Sequence, residues 1–314
     1  MNIKFSLNRK KLISELNEFQ KLERFPKSAE KWYPDRLFPE RITIDIKGLH
    51  NAYTNSLRRV INSEVQTYIL TFDDDNYRTN DGFLNNDYIR RNINLVPINQ
   101  EFLDPNKKYY INVVNDADNE HKNVYTSDLL EHSDNKNNNK PIDICNSNIK
   151  LFDLSPKSYI AINNVHFISG KGENLACFNA AFRTVNIPMD DNSSSEHNQI
   201  RFETNGNIDP KNLVRNACLE LISKIKNLQN YENTVQSKDD YYYISIKNED
   251  DTLGYIFTKS AMEVFPNIKA ITYTVSISGQ SLIIKFKYNE PQKFIESTIK
   301  NLLNIYNELY KSIN

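Results

Sequence analysis

Apolar and polar positions alternate in two widely separated segments, and a helical stripe follows each. Ile42, Ile44 and Ile46 alternate with Thr43, Asp45 and Lys47, the period of a strand with one buried face. Tyr53, Leu57, Val60 and Ile61 then recur at spacings of four and three, which puts them on one side of a helix. Late in the chain Tyr242, Ile244 and Ile246 alternate with Tyr243, Ser245 and Lys247, and Leu253, Ile256, Phe257 and Val264 form a second stripe. At a shift of 200 residues Ile44 falls on Ile244, Ile46 on Ile246, Lys47 on Lys247, Leu57 on Phe257 and Arg59 on Lys259. A repeat at this distance predicts two related half-domains. A solenoid would repeat every 20 to 50 residues or so.

A proline-started helix completes each copy. Asp209 suits a helix N-cap and Pro210 the first helical position, where a missing N–H costs nothing. Val214, Cys218, Leu221, Ile225 and Leu228 follow at steps of four and three, a heptad seam. Glu290-Pro291 repeats the entry, and Ile295, Ile299, Leu302, Tyr306, Leu309 and Ile313 repeat the steps. Between these helices Ile271, Tyr273, Val275 and Ile277 alternate, as do Leu282, Ile284, Phe286 and Tyr288, with a two-residue turn at Gly279-Gln280. Each half alone leaves its seam in water. Two similar seams can cover each other, at about 25 cal/mol per Å2 of apolar area. The pattern predicts an α+β chain folded as an internal pseudo-dimer. Its contact is expected from Val214, Cys218, Leu221, Ile225, Leu253, Phe257, Ile295, Ile299, Leu302, Tyr306 and Leu309.

The remaining segments set the expected boundaries. Residues 1–35 form an N-terminal extension, basic but interrupted by glutamates, with one or two amphipathic turns at Leu12, Ile13, Leu16 and Phe19. It reads as a solvated extension or a partner-docking arm. Residues 36–72 and 199–229 make the first module, 73–198 a β-rich insertion, 230–240 a polar linker and 241–314 the second module. At the end of the first module's opening segment, Ser63 to Leu70 leads from helix end to strand; within the insertion, Asn86 to Ile98 is a compact apolar unit, and 115–149 is a polar, Asn-rich surface loop. Tyr159–Ile162 and Val165–Ile168 read as strand material, Ser169–Gly172 as a tight turn, Ala176–Val185 as further strand and Asp190–Asn198 as a loop.

Composition narrows the chemistry. Net charge is −1 over 314 residues, with 39% apolar and 11% aromatic positions, enough for real cores and without a global footprint for nucleic acid. Cys145, Cys177 and Cys218 lie far apart without a CxxC pair, which points to a reducing compartment and away from structural zinc. No apolar run is long enough to span a bilayer and no signal-peptide block opens the chain, so a soluble intracellular protein is expected. An enzyme acting on nucleotides or nucleic acid is the alternative, resting on Asp73-Asp74-Asp75 and the Gly170-Lys171-Gly172 turn. That turn lacks phosphate-loop spacing. The five histidines show no ligand or dyad spacing.

Glu249-Asp-Asp-Thr-Leu-Gly-Tyr-Ile-Phe257 resembles the signature of the eleventh-subunit type of RNA polymerase assembly protein, and the Pro291 helix is similar to its dimerisation helix. Asn51 to Val65, with Ser56-Leu-Arg-Arg59, resembles the third-subunit type and the bacterial alpha N-terminal domain. Asp87 to Ile98, with Leu95-Val-Pro97, is similar to a later segment of that type, as are Val165 to Pro188 and Phe202 to Ile225. Gln66, Arg91-Asn92 and Asn94 depart from the pattern, and the third-subunit zinc cysteines have no counterpart. Fusion of both types in one chain resembles polymerases of large eukaryotic DNA viruses.

The resemblance implies a subunit of a DNA-directed RNA polymerase with no catalytic residues, cofactor or metal of its own. It implies a platform for the largest and second-largest subunits, a small tenth-subunit-type partner, and DNA contact only indirectly. Asn55, Arg58 and Arg59 would face a large subunit. The compartment implied is a viral factory or virion for a viral chain, and otherwise the nucleus.

Overall fold

Two four-stranded antiparallel sheets share one strand order and one chain path. The computed structural model describes residues 3–11, 40–132, 142, 149–190, 196–204, 206–230, 235–276 and 281–313. The chain forms β1 (Lys4–Lys11), β2 (Glu40–Lys47), α1 (Asn51–Ser63), β3 (Gln66–Thr71), β4 (Tyr77–Thr79) and α2 (Asn86–Asn94). It continues through β5 (Tyr109–Asn115), β6 (Lys122–Tyr125), β7 (Leu130–Glu131), β8 (Lys150–Leu154), β9 (Ser158–Lys171), β10 (Ala181–Pro188), β11 (His197–Thr204) and α3 (Pro210–Asn227). The second half holds β12 (Gln236–Lys238), β13 (Tyr241–Lys247), α4 (Asp251–Val264), β14 (Ala270–Val275), β15 (Ser281–Lys287) and α5 (Pro291–Ser312).

The first sheet runs β1-β2-β11-β10 and the second β12-β13-β15-β14. Each half therefore reads β-β-α-β-β-α, with the first strand of the unit at one edge. The repeat is more complete than the 200-residue shift indicates, because each half opens with an edge strand. In β2 the isoleucines at 42, 44 and 46 are fully buried and the residues between them are not, as period two requires.

Between α1 and β10 the first half carries a separate sheet of β3, β9, β5, β7 and β4, with β6 and β8 paired beside it. In the second half residues 265–269 span the same gap. The insertion has its own core of Leu70, Phe72, Ile89, Phe152 and Ile160 among others.

Both junctions differ from the expected boundaries. β3, expected in the first module, pairs with β9 in the insertion sheet. β10 and the start of β11, expected in the insertion, pair within the first sheet.

Other differences have physical causes. Residues 4–11 are an edge strand, with Phe5 opposite Ile46 and Leu7 opposite Ile44. Phe5 and Leu7 pack on the core, so this part of the extension is not a loose arm. The helical turns expected at Leu12, Ile13, Leu16 and Phe19 lie outside the described residues. The two strand segments at 159–168 are one strand that also takes in Ser169 to Lys171. Gly170 is there for proximity: a Cβ would sit 2.6 Å from the Phe178 ring. Ala176–Phe178 is a 3-10 turn that interrupts the strand expected over 176–185. Within 115–149, Val124, Leu129 and Ile142 are buried, so that stretch contributes to the insertion core. Its Asn-rich part at 133–141, like Cys145 and Gly279-Gln280, lies outside the described residues. The expected linker contains β12.

One apolar core joins the two halves. Ile44, Leu57 and Leu221 share it with Phe257, Leu282 and Leu302. Helix α3 packs on α5, α1 on α4, and α4 on α5.

Candidate assembly interface

The seam between the halves is built by four helices, each with a sequence reason for its ends. The Asp209 carboxylate caps α3 by accepting from Lys211 N, with Pro210 at the first turn. The Asp250 carboxylate caps α4 by accepting from Thr252 N at 2.7 Å. In the Thr252-Leu-Gly254 segment Leu253 is buried. Gly254 lets the helix approach the sheet, since a Cβ would lie 2.6 Å from Tyr273 and 2.7 Å from Leu282. All the expected seam residues, Val214, Cys218, Leu221, Ile225, Leu253, Phe257, Ile295, Ile299, Leu302, Tyr306 and Leu309, are buried in the shared core. Burial pushes the Cys218 thiol well above its ordinary range, so it behaves as a small apolar side chain.

Polar side chains cross the same seam, and the periodicity did not reveal them. Tyr53 donates to Glu263 at 2.6 Å. The hydroxyls of Ser56 and Tyr306 meet at 2.5 Å. Arg59 donates to Asp250 at 2.8 Å. Lys224 lies 2.7 Å from Glu64 and 3.0 Å from Glu249, with all three side chains at most 13% exposed. Burial alone would lower this ammonium, but the two carboxylates hold it protonated above the usual lysine range. Burial raises the Glu249 carboxyl despite Lys224 beside it. The sequence held one clue, a lysine flanking the apolar seam of α3 one position before Ile225.

Helix α1 presents its other side outward. Asn55, Arg58 and Arg59 are half-buried there. Asn55 accepts from Arg58 Nε at 2.9 Å. Arg58 has no carboxylate partner among the described residues, and burial followed by the charge of Arg59 lowers its guanidinium. The structure thus separates the two arginines: Arg59 is engaged by the second half, and Arg58 is offered outward. Asn55 and Arg59 line a cavity of about 250 Å3 with Asp251, Tyr255 and Tyr273 from the second half. Tyr255 and Met262 are exposed on α4. One surface therefore combines equivalent helices of both halves.

The features behind the enzyme alternative have structural roles. Asp74 pairs with Arg90 and accepts from Asn86 at 2.7 Å. Lys171 pairs with Glu220 at 2.5 Å. Among the described residues no group of three or more His, Cys, Asp or Glu side chains is arranged to hold a metal ion. No helix of the described residues is long and apolar enough to cross a membrane.

The family model of the RNA polymerase Rpb3/Rpb11 dimerisation domain matches residues 43–225, more than half of the 314. The chain belongs to that family. It is an RNA polymerase assembly subunit, and the free-standing enzyme is not favoured. The match starts in β2 and ends in the seam of α3. It therefore brackets the first half and its insertion.

Among curated relatives, the chain is similar to proteins of African swine fever virus named "DNA-directed RNA polymerase RPB3-11 homolog". Those from isolates Pig/Kenya/KEN-50/1950 and Tick/Malawi/Lil 20-1/1983 are each 23% identical, over 88% of this chain and 88% of the relative. The one from isolate Warthog/Namibia/Wart80/1980 is 22% identical over the same shares. The relatives' name joins the two subunit types whose resemblances fall on the two halves of this chain.

Proposed function

We propose that the chain is an intramolecular pseudo-dimer serving as a non-catalytic platform for the two large subunits of a DNA-directed RNA polymerase. The carrying observation is the single core shared by matching β-β-α-β-β-α units, with the α3 and α5 seams buried against each other. In this reading the insertion spans about residues 66–180, since β3 opens its sheet and β10 returns to the parent sheet. A small tenth-subunit-type protein completes the assembly.

The outward side of α1, joined by α4, is the surface proposed for the second-largest subunit. Arg58 is its leading contact: a guanidinium with no carboxylate partner among the described residues suits a bidentate acidic or carbonyl partner. Arg59 supports the surface by fixing α4 through Asp250.

Affinity capture of the tagged full-length chain from its native source tests the reading. Two very large subunits should accompany it. Arg58→Glu should lose the second-largest while the purified variant keeps the parent melting temperature. Capture of the chain alone, or with unrelated proteins only, would refute the platform role.

A further inference from the structure

The outer face of the second sheet is basic and aromatic, and the platform role does not use it. Helices α4 and α5 cover the inner face, where Ile244, Ile246, Leu282, Ile284 and Phe286 are buried. Period two sends Tyr241, Tyr243, Ser245 and Lys247 of β13 to the opposite face. Tyr243 stands across from Lys285, and Lys238 of β12 stands across from Tyr241. The Lys285 ammonium lies 4.1 Å from the Tyr241 ring centre and 5.5 Å from that of Tyr243, and the Lys287 ammonium 5.6 Å from Tyr241. No strand position on this face is Asp or Glu. Asp240, in the turn before β13, pairs with Lys287 at 3.2 Å.

The outer face of the first sheet has no tyrosine and carries carboxylates. There Asp45 meets His197 at 2.8 Å, and Glu203 meets Arg41 and Arg183 at 3.3 and 3.1 Å. Its outward charges include these carboxylates as well as Lys4, Lys47 and Arg201. In the second half they are four lysines around two rings, on a chain whose net charge is −1.

We propose that this face binds single-stranded nucleic acid. Tyr241 and Tyr243 would stack bases, and Lys238, Lys247, Lys285 and Lys287 would meet phosphates. The two rings sit two residues apart on a central strand, roughly 7 Å. An open four-stranded sheet with helices on one face and aromatics on the other suits splayed bases. A duplex keeps its base faces stacked and offers the rings nothing. An acidic protein segment would use the lysines but not the rings, so the tyrosines discriminate. A nearby cleft of about 700 Å3 holds Asp240 and Glu290 beside Lys269 and Lys287. Its charge is balanced, and it is left out of the assignment.

Fluorescence anisotropy with the full-length chain and labelled short oligouridylate or oligothymidylate tests this. Binding is expected to at least one probe, with a log–log salt slope of about −2 to −3 if four lysines neutralise phosphates. Tyr241→Ala and Tyr243→Ala should each weaken it by about five- to hundredfold, while Tyr241→Phe and Tyr243→Phe retain it. Lys285→Gln with Lys287→Gln should flatten the slope. No binding to either probe at about 50 mM salt would overturn the proposal. So would affinities that folded Tyr→Ala variants leave unchanged, or equal affinity for a duplex. Should the alanine variants fail to fold, a folded lysine double variant with parental affinity and slope would overturn it as well. Displacement of the probe by polyglutamate with no dependence on either ring would instead assign the face to an acidic protein segment.

Discussion

The hydroxyls of Ser56, in the first helix, and Tyr306, in the last, lie 2.5 Å apart with both side chains buried. The Tyr306 hydroxyl also reaches the Tyr53 carbonyl at 3.3 Å, and its ring meets that of Tyr53 edge to face. Tyr306→Phe keeps the ring and loses the hydroxyl. Ser56 still donates to the Tyr53 carbonyl at 2.7 Å, so the cost should be about 1 kcal/mol. Tyr306→Ala empties the site and should cost about 3–5 kcal/mol. Urea denaturation distinguishes the two. Equal losses would mean that the ring is not what the seam relies on.

Lys224 holds two carboxylates that have almost no water. Lys224→Met should destabilise by about 3–5 kcal/mol, because it leaves Glu64 and Glu249 buried without their cation. Changing Glu64 and Glu249 to Gln in the same chain should recover much of that loss. A Lys224→Met chain that melts like the parent would show that the cluster is solvated.

Asp250 links helix capping to the seam. Burial pulls its carboxyl up, but bonds from Thr252 and the charges of Arg59 and Lys224 pull harder and hold it below its ordinary value near 3.8. A depressed folded value gives stability that is present above the ordinary value and lost as pH falls through the folded one. Asp250→Asn keeps an adequate N-cap and removes the charge. The variant should be less stable than the parent at neutral pH, with the gap closing below about pH 4. Paired denaturation curves at both pH values read this directly. A gap that is constant with pH would mean the charge contributes nothing.

Among the described residues, contact between the halves is carried chiefly by the helices. Residues 1–230 and 235–314, expressed as separate chains, should therefore copurify. Leu302 is fully buried in the shared core, and Leu302→Asp should abolish copurification, since an unpaired buried charge costs several kcal/mol. Split chains that never associate would count against the seam.

The sequence carried the buried helix faces well, because heptad steps and alternation are local properties. Leu302, Tyr306 and Leu221 are buried where the spacing puts them. It carried β1 poorly. Phe5 and Leu7 do alternate with Lys4, Ser6 and Asn8, but two apolar residues among basic neighbours look like a tail until β2 supplies the hydrogen bonds. Gly170 misled for a related reason: a glycine beside a lysine suggests a turn, whereas this one makes room for Phe178. The partners in the Arg59–Asp250 and Lys224 contacts were not legible beyond the position of Lys224 beside the α3 seam, since they join residues 191, 160 and 25 apart. The grouping of Tyr241 and Tyr243 with Lys285 and Lys287 likewise needs the register of β13 on β15.

The outgoing strand β3 and the returning strand β9 are hydrogen-bonded neighbours, with Gln66 opposite Lys171, and Glu173 N donates to the Ser63 carbonyl at 2.9 Å beside them. The extra body thus leaves and re-enters its parent through one narrow doorway. A gap whose rims already touch accepts a long excursion cheaply, since closure entropy grows only with the logarithm of length. Length can therefore be added or removed beyond that threshold while the helices packed between the two sheets keep their places.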